Sequence, residues 1–155
     1  MKSILRYGIA AIAVIVISIG LGVTVNSSSD ADSFPAFLGQ PQAPSDYPCF
    51  VNSGGAVYNI CGTTRRFCIT LPANHSSNTI TVGVRAPDIY HNLACFGQSV
   101  TWNTFGAGFT GFRSPGIFGS TQWLLLGTLN VPYAGGLYVC CDLAPTSSVH
   151  SVNYL

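Results

Sequence analysis

The stretch RAPDIYHN, Arg85 to Asn92, is the densest polar constellation in the chain, and it sets Asp88 three residues before His91. In a turn such a pair can share a hydrogen bond, and an imidazole so held is the natural proton carrier near neutral pH. A structural turn after the apolar run that precedes them is the far more common use of such residues. Nucleophilic catalysis finds less support. No Gly-x-Ser-x-Gly elbow occurs, and in a Ser-rich chain the co-occurrence of Ser, His and Asp carries little information. The chain has no Glu, so glycosidase chemistry has only Asp88 and Asp142 as an available carboxylate pair. Phosphate loops, dinucleotide fingerprints and calcium loops are missing, there is no Cys-x-x-Cys, and His75, His91 and His150 are scattered. No catalytic residue, metal or cofactor is therefore assigned.

Binding has better candidates. Trp102 and Trp123 are flat aromatics of the kind that stack on sugars, although both run in phase with aliphatics, Val100 and Leu125, which makes core packing their first expectation. Phe109, Phe112 and Arg113 lie in FGAGFTGFRSPGIFG, Phe105 to Gly119, where glycine alternates with phenylalanine and no strand-like run is visible. The segment reads as a long loop whose aromatics either fold back on the core or form a ligand surface.

The elements that must position these side chains follow a period of two. TITVGVR places Ile80, Val82 and Val84 on one face, with Thr79, Thr81, Gly83 and Arg85 on the other. TQWLLLGTLNV places Trp123, Leu125, Leu129 and Val131 together on the core side, with Leu124 and Leu126 facing away, as in a central strand covered on both sides. GAVYNIC, RFCITL, QSVTWNTF and SVHSVNYL are shorter strand candidates, and Gly, Pro and Asn punctuate the junctions. The fold class expected is all-β: an antiparallel two-sheet sandwich stapled by disulfides, over residues 47–155, preceded by an N-terminal hydrophobic helix. Residues 26–46, with three prolines and no period, read as a flexible linker.

Residues 1–25 carry Lys2 and Arg6 before an apolar run from Gly8 to Val25, the pattern of an export signal. The run also reaches the length of a single membrane span, so a retained anchor is the alternative to a cleaved signal. Beyond Val25 the charged side chains are four arginines (65, 66, 85 and 113) and five aspartates (30, 32, 46, 88 and 142). This charge-poor surface excludes an electrostatic footprint for nucleic acid and gives no basic patch for anionic lipid. Membrane contact is expected only through residues 1–25 if uncleaved. Asn74-His75-Ser76 is an acceptor sequence for N-glycosylation in a host that performs it.

Six cysteines, at 49, 61, 68, 95, 140 and 141, read as three disulfides in an exported chain, and fifteen connectivities are open. In GLYVCCDLAP, Leu137, Val139, Cys141 and Leu143 alternate with Tyr138, Cys140 and Asp142. Adjacent cysteines of a strand point to opposite faces, and their Cα atoms lie ~3.8 Å apart, too close for an ordinary disulfide. Each should have its own partner.

YVCCDLAPTSSVHSVNYL resembles the C-terminal signature of an uncharacterised family of small secreted bacterial proteins, Tyr-x-x-x-Cys-x-(Ile/Leu)-x-Pro followed by a Ser-rich turn and a last strand. Cys141, Leu143, Pro145, Ser148 and Val149 fit that pattern, and Tyr138 stands one place closer than usual. FCITLP is similar to the family's Cys-Pro-(Ile/Val) strand, with Ile69 in place of proline, and VGVRAPD followed by Cys95 is similar to its Val-x-Val strand and cysteine. The resemblance implies a secreted β-sandwich and no activity. It also implies a pairing: Cys49, Cys68, Cys95 and Cys141 match the framework, giving Cys49–Cys68 and Cys95–Cys141, and leave Cys61 and Cys140 to bond to each other. The function expected is a secreted or cell-surface, non-catalytic binding or structural module, with a cell-surface glycan or protein as partner class. If residues 1–25 stay in place it would be membrane-anchored, facing the exterior or periplasm. A pilin-like filament subunit and a secreted enzyme of unrecognised type are the alternatives; for the former, Ala13 stands where pilins carry an early glutamate.

Overall fold

The computed structural model of the chain describes residues 32–72, 76–89, 92–101, 103 and 106–155. Eleven strands follow one another: β1 (Asp32–Pro35), β2 (Gln40–Pro41), β3 (Phe50–Ser53), β4 (Ala56–Asn59), β5 (Arg65–Leu71), β6 (Ser77–Arg85), β7 (Ala94–Val100), β8 (Gly106–Phe109), β9 (Gln122–Asn130), β10 (Gly136–Leu143) and β11 (Ser148–Tyr154). They form a six-stranded sheet, β3-β4-β11-β6-β9 with β1 also on β11, and a five-stranded sheet, β2-β5-β10-β7-β8. Every pairing is antiparallel. From β4 onward the chain crosses between the sheets at almost every connection, which is the jelly-roll form of a β-sandwich.

The alternation of β6 places Ile80, Val82 and Val84 in the core between the sheets, while Thr79 and Thr81 are half-buried and Arg85 is exposed, as expected. Ile69, Leu71, Leu137, Val139, Leu143, Val149 and Val152 complete the inner layers. For β9 the expected phase is corrected. Leu124 and Leu126 are buried, and Trp123 and Leu125 are exposed. The cause is a bulge: Ile80 pairs with Gly127 and Thr81 with Leu125, so Leu126 is an extra residue on the β9 side. Gly127 has φ +132°, a region essentially confined to glycine. The bulge inverts the side-chain phase, so Leu129 and Val131 face inward along with Leu124 and Leu126.

Two further expectations are corrected. The segment read as a linker belongs to the sandwich from Asp32 onward: Phe34 pairs with Val152, Ala36 is fully buried, Gln40 pairs with Cys68, and buried Asp46 holds Arg65 at 3.2 Å. In the segment read as strandless, β8 pairs with β7, and Arg113 bridges Cys95. Residues 1–25, read as signal or anchor helix, lie outside the described residues; among those described, no helix is long and apolar enough to cross a membrane.

The disulfides are Cys49–Cys61, Cys68–Cys140 and Cys95–Cys141, and no cysteine is free. The third matches the expected pairing; Cys49–Cys68 and Cys61–Cys140 do not form. Cys49 and Cys61 flank the β3–β4 hairpin, where Ile60 N–H donates to the Cys49 carbonyl at 2.8 Å, so the bond closes that hairpin's open end. Cys140 sits directly opposite Cys68 on β5, and Cys141 directly opposite Cys95 on β7. The backbone of Cys95 is turned away from β10, exchanging both hydrogen bonds with Arg113. The Cys141–Cys95 pair is thus a non-hydrogen-bonded pair, the closest approach an antiparallel ladder offers; the Cα separations in the two bridges are 4.0 and 4.1 Å. Along a strand, successive residues alternate both in face and in the side to which their backbone bonds. Adjacent cysteines therefore reach opposite neighbours on opposite faces. Cys95–Cys141 lies in the core, and Cys68–Cys140 on the outer face.

Candidate binding surface

The outer face of the six-stranded sheet is set by the same registers that set the core. Trp123 pairs with Gly83, and the benzo ring of its indole passes over that glycine: a Cβ on Gly83 would lie 3.4 Å from both Cζ3 and Cη2. Only a residue without a side chain leaves the ring this seat, the aromatic rescue of a strand glycine. The ring keeps 54% of its residue's surface exposed. On the other side of Gly83, β11 carries its own bulge. Val149 pairs with Val84 and Ser151 with Gly83, which leaves His150 as the extra residue, its Cβ 3.6 Å from the same point over Gly83.

His150 Nε2 lies 3.2 Å from Ser148 Oγ and 3.4 Å from Thr121 Oγ1. Its pKa is held below the ordinary imidazole value, first by burial and then by the positive charge of Arg85. A Ser–His contact invites comparison with a nucleophile and its base. Ser148 is fully buried, however, and among the described residues no carboxylate bonds the imidazole, so neither attack nor a stabilised imidazolium is provided for. Arg85 is exposed, with its Nε donating to the Gly119 carbonyl at 3.0 Å. Leu125 is exposed beside Thr81, and Thr79 and Thr128 share a hydrogen bond of 3.0 Å across β6 and β9. At the far edge of this sheet a cavity of about 410 Å³ is lined by Val51, Ser53, Tyr58, Asn59, Ile60 and Thr146. Val51 pairs with Tyr58 and Tyr58 with Ser148, which pairs with Arg85. From Tyr58 at that cavity a row of polar side chains thus crosses the sheet through Ser148 to Arg85.

The outer face of the five-stranded sheet carries a second aromatic group. Phe96, Phe109 and Phe112 pack in a triangle with ring centroids 4.9 to 5.7 Å apart, in tilted and edge-on contacts. Phe96 is buried, whereas Phe109 and Phe112 remain half exposed. Arg66 spreads over Phe96, its Cζ 5.2 Å from the ring centre, and grips Asp142 with two hydrogen bonds of 2.6 and 2.9 Å. That grip raises the Arg66 pKa further. It also engages both carboxylate oxygens of Asp142. The rings contact one another while two of them keep about half of their surface open.

Of the candidates read from sequence, Phe109 and Phe112 come together on one sheet, and Arg113, exposed, contributes a backbone bridge to Cys95 at its edge. Trp123 stands alone on the other sheet, exposed where core packing was expected. Asp88 is half-buried in the β6–β7 connection. Trp102 and His91, and with His91 the proposed dyad, lie outside the described residues. Arg85, Tyr58 and His150 were not singled out as site residues; the outward phase of Arg85 in β6 was visible, whereas the β11 bulge that exposes His150 to the Trp123 platform leaves no mark in SVHSV.

No family model matches the chain, and no curated protein matches it. Among solved structures it is similar to the Podospora anserina GH26-CBM35 β-(1,4)-mannanase, with a TM-score of 0.48 and 8% identity. The alignment covers 80% of this chain and 27% of that one.

Proposed function

We propose that this chain is an exported, non-catalytic β-sandwich module that binds carbohydrate on the outer face of its six-stranded sheet, with Trp123 as the stacking platform. The observation that carries the reading is the indole seated on Gly83 with half its surface open to solvent. A large aromatic left exposed on a regular strand forfeits its burial energy, about 25 cal/mol per Å² of apolar surface. A pyranose has an apolar C–H face to lay on such a ring and a rim of hydroxyls that need partners. The ring's neighbours supply those partners: Thr81, Thr121, Ser151 and His150 stand around it by register. Leu125 is the exposed apolar side chain next to the ring along β9. Three disulfides with no free thiol suit an oxidising compartment, in keeping with export.

The test is a glycan array probed with the oxidised full chain, followed by titration calorimetry on the best ligand. Trp123→Ala should abolish binding while the chain still unfolds cooperatively, and Trp123→Phe should retain part of the affinity. Absence of any glycan ligand, or binding that survives Trp123→Ala, would remove the reading.

A further inference from the structure

The four arginines of the sandwich are not equivalent. Arg65 and Arg66 are each committed to an aspartate, Asp46 and Asp142, whereas no carboxylate lies within ion-pair distance of Arg85 among the described residues. Arg85 is also the one placed on the Trp123 face. It stands two residues beyond Gly83 on β6, hence on the same side of the sheet and about 7 Å along the strand from the seat of the indole. Its Nε is tied to the Gly119 carbonyl, which fixes the guanidinium plane and leaves the two Nη groups for a ligand. A solvated, mobile arginine would have no such anchor. His150, its pKa held below the ordinary imidazole value first by burial and then by Arg85, adds a hydrogen-bonding group to the same face.

Resting on the carbohydrate reading, we infer that the ligand is an acidic glycan, with a sugar ring on Trp123 and the carboxylate of that sugar or its neighbour on Arg85. A planar guanidinium whose Nη1/Nη2 edge is left for a ligand matches the two oxygens of a carboxylate, and charge-assisted hydrogen bonds are about twice as strong as neutral ones. Charge-poor surroundings sharpen the preference, because among the described residues no carboxylate is ion-paired to this arginine.

The experiment compares three oligosaccharides of matched length by calorimetry with the oxidised full chain: a uronate-containing one, the same chain with its carboxylates reduced to alcohols, and a sulfated one. The uronate form should bind about tenfold or more tightly than its reduced counterpart, the gap narrowing with added salt. Arg85→Gln should erase that gap, whereas Trp123→Ala should weaken all three. Equal affinity for charged and reduced forms, a preference that survives Arg85→Gln, or tighter binding of the sulfated chain than of the uronate would overturn the acidic-sugar inference while leaving the platform standing. Failure of all three to bind would overturn both.

Discussion

Leu125 and Leu126 are neighbours of identical chemistry on opposite sides of one strand, and truncating each tests the bulge on which the candidate surface depends. Leu126 is 1% exposed and lies in the core, so Leu126→Ala removes fully buried methyl groups and leaves a cavity, a cost of about 3–5 kcal/mol. Leu125 is 62% exposed. At ~1.5–3 kcal/mol for burying a whole leucine side chain, what it has covered is worth at most about 1 kcal/mol, and Leu125→Ala should cost no more. With a urea m-value of ~1–3 kcal/mol/M, a difference of about 2 kcal/mol separates the two midpoints by roughly 1–2 M. Urea melts of the oxidised protein, read by tryptophan fluorescence and circular dichroism together, measure it. Gly127→Ala supplies the third point: at φ +132° a side chain costs about 1–3 kcal/mol whatever the space around it. If Leu125→Ala proves the more damaging, or Gly127→Ala proves silent, β9 runs without a bulge, Trp123 points inward, and the platform does not exist.

The two bridges of β10 should differ in access. Under limiting thiol and differential alkylation, Cys68 and Cys140 should be labelled before Cys95 and Cys141, which are wholly buried; the reverse order would place the wrong pair in the core. His150 binds a proton less readily in the folded chain than in the unfolded one, so protonation favours unfolding. Wild type should therefore lose stability relative to His150→Gln as pH falls below the ordinary histidine value of ~6.5, with the two parallel above it. Urea midpoints between about pH 5 and 8 give the comparison, and a wild type that gains on the variant in acid would contradict it.

How far the sequence carries depends on whether periodicity is interrupted. Ile80, Val82 and Val84 could be placed because β6 is regular through them, and the face of Arg85 came with them. Trp123 could not, because one extra residue at Leu126 inverts the phase and Gly127, the residue that permits it, reads in sequence as any other glycine. The third cysteine pair was legible in part: alternation separated Cys140 from Cys141. The Cys49–Cys61 bond had a local signal that the family resemblance overrode. Gly54-Gly55 between two short strand-like runs marks a two-residue hairpin, whose register carries Cys49 and Cys61 to the same end. β1 and β2 are edge strands of four and two residues, each including a proline, too short to show a period. The sandwich was thus readable from its regular strands, and its candidate surface, built on two bulges, was not.

The adjacency of Cys140 and Cys141 has a consequence for the chain once it has lost its fold. Both long bridges meet at a single peptide bond, so in the unfolded oxidised polymer Cys68 and Cys95 are held at one junction. The 72-residue closure of the outer bond overlaps the 46-residue closure of the inner one in all but its last residue. With the inner bond intact, the outer one closes only the shorter stretch between Cys68 and Cys95. Its loss should therefore relax the polymer less than an isolated loop of its length would. The junction also stores information. A slip of one residue between β10 and either neighbour would carry each sulfur to the wrong face, so a chain that keeps both bonds keeps a covalent record of which residues of β5, β10 and β7 stand opposite through denaturation. Refolding of the oxidised protein would start with the central three strands of one sheet already aligned.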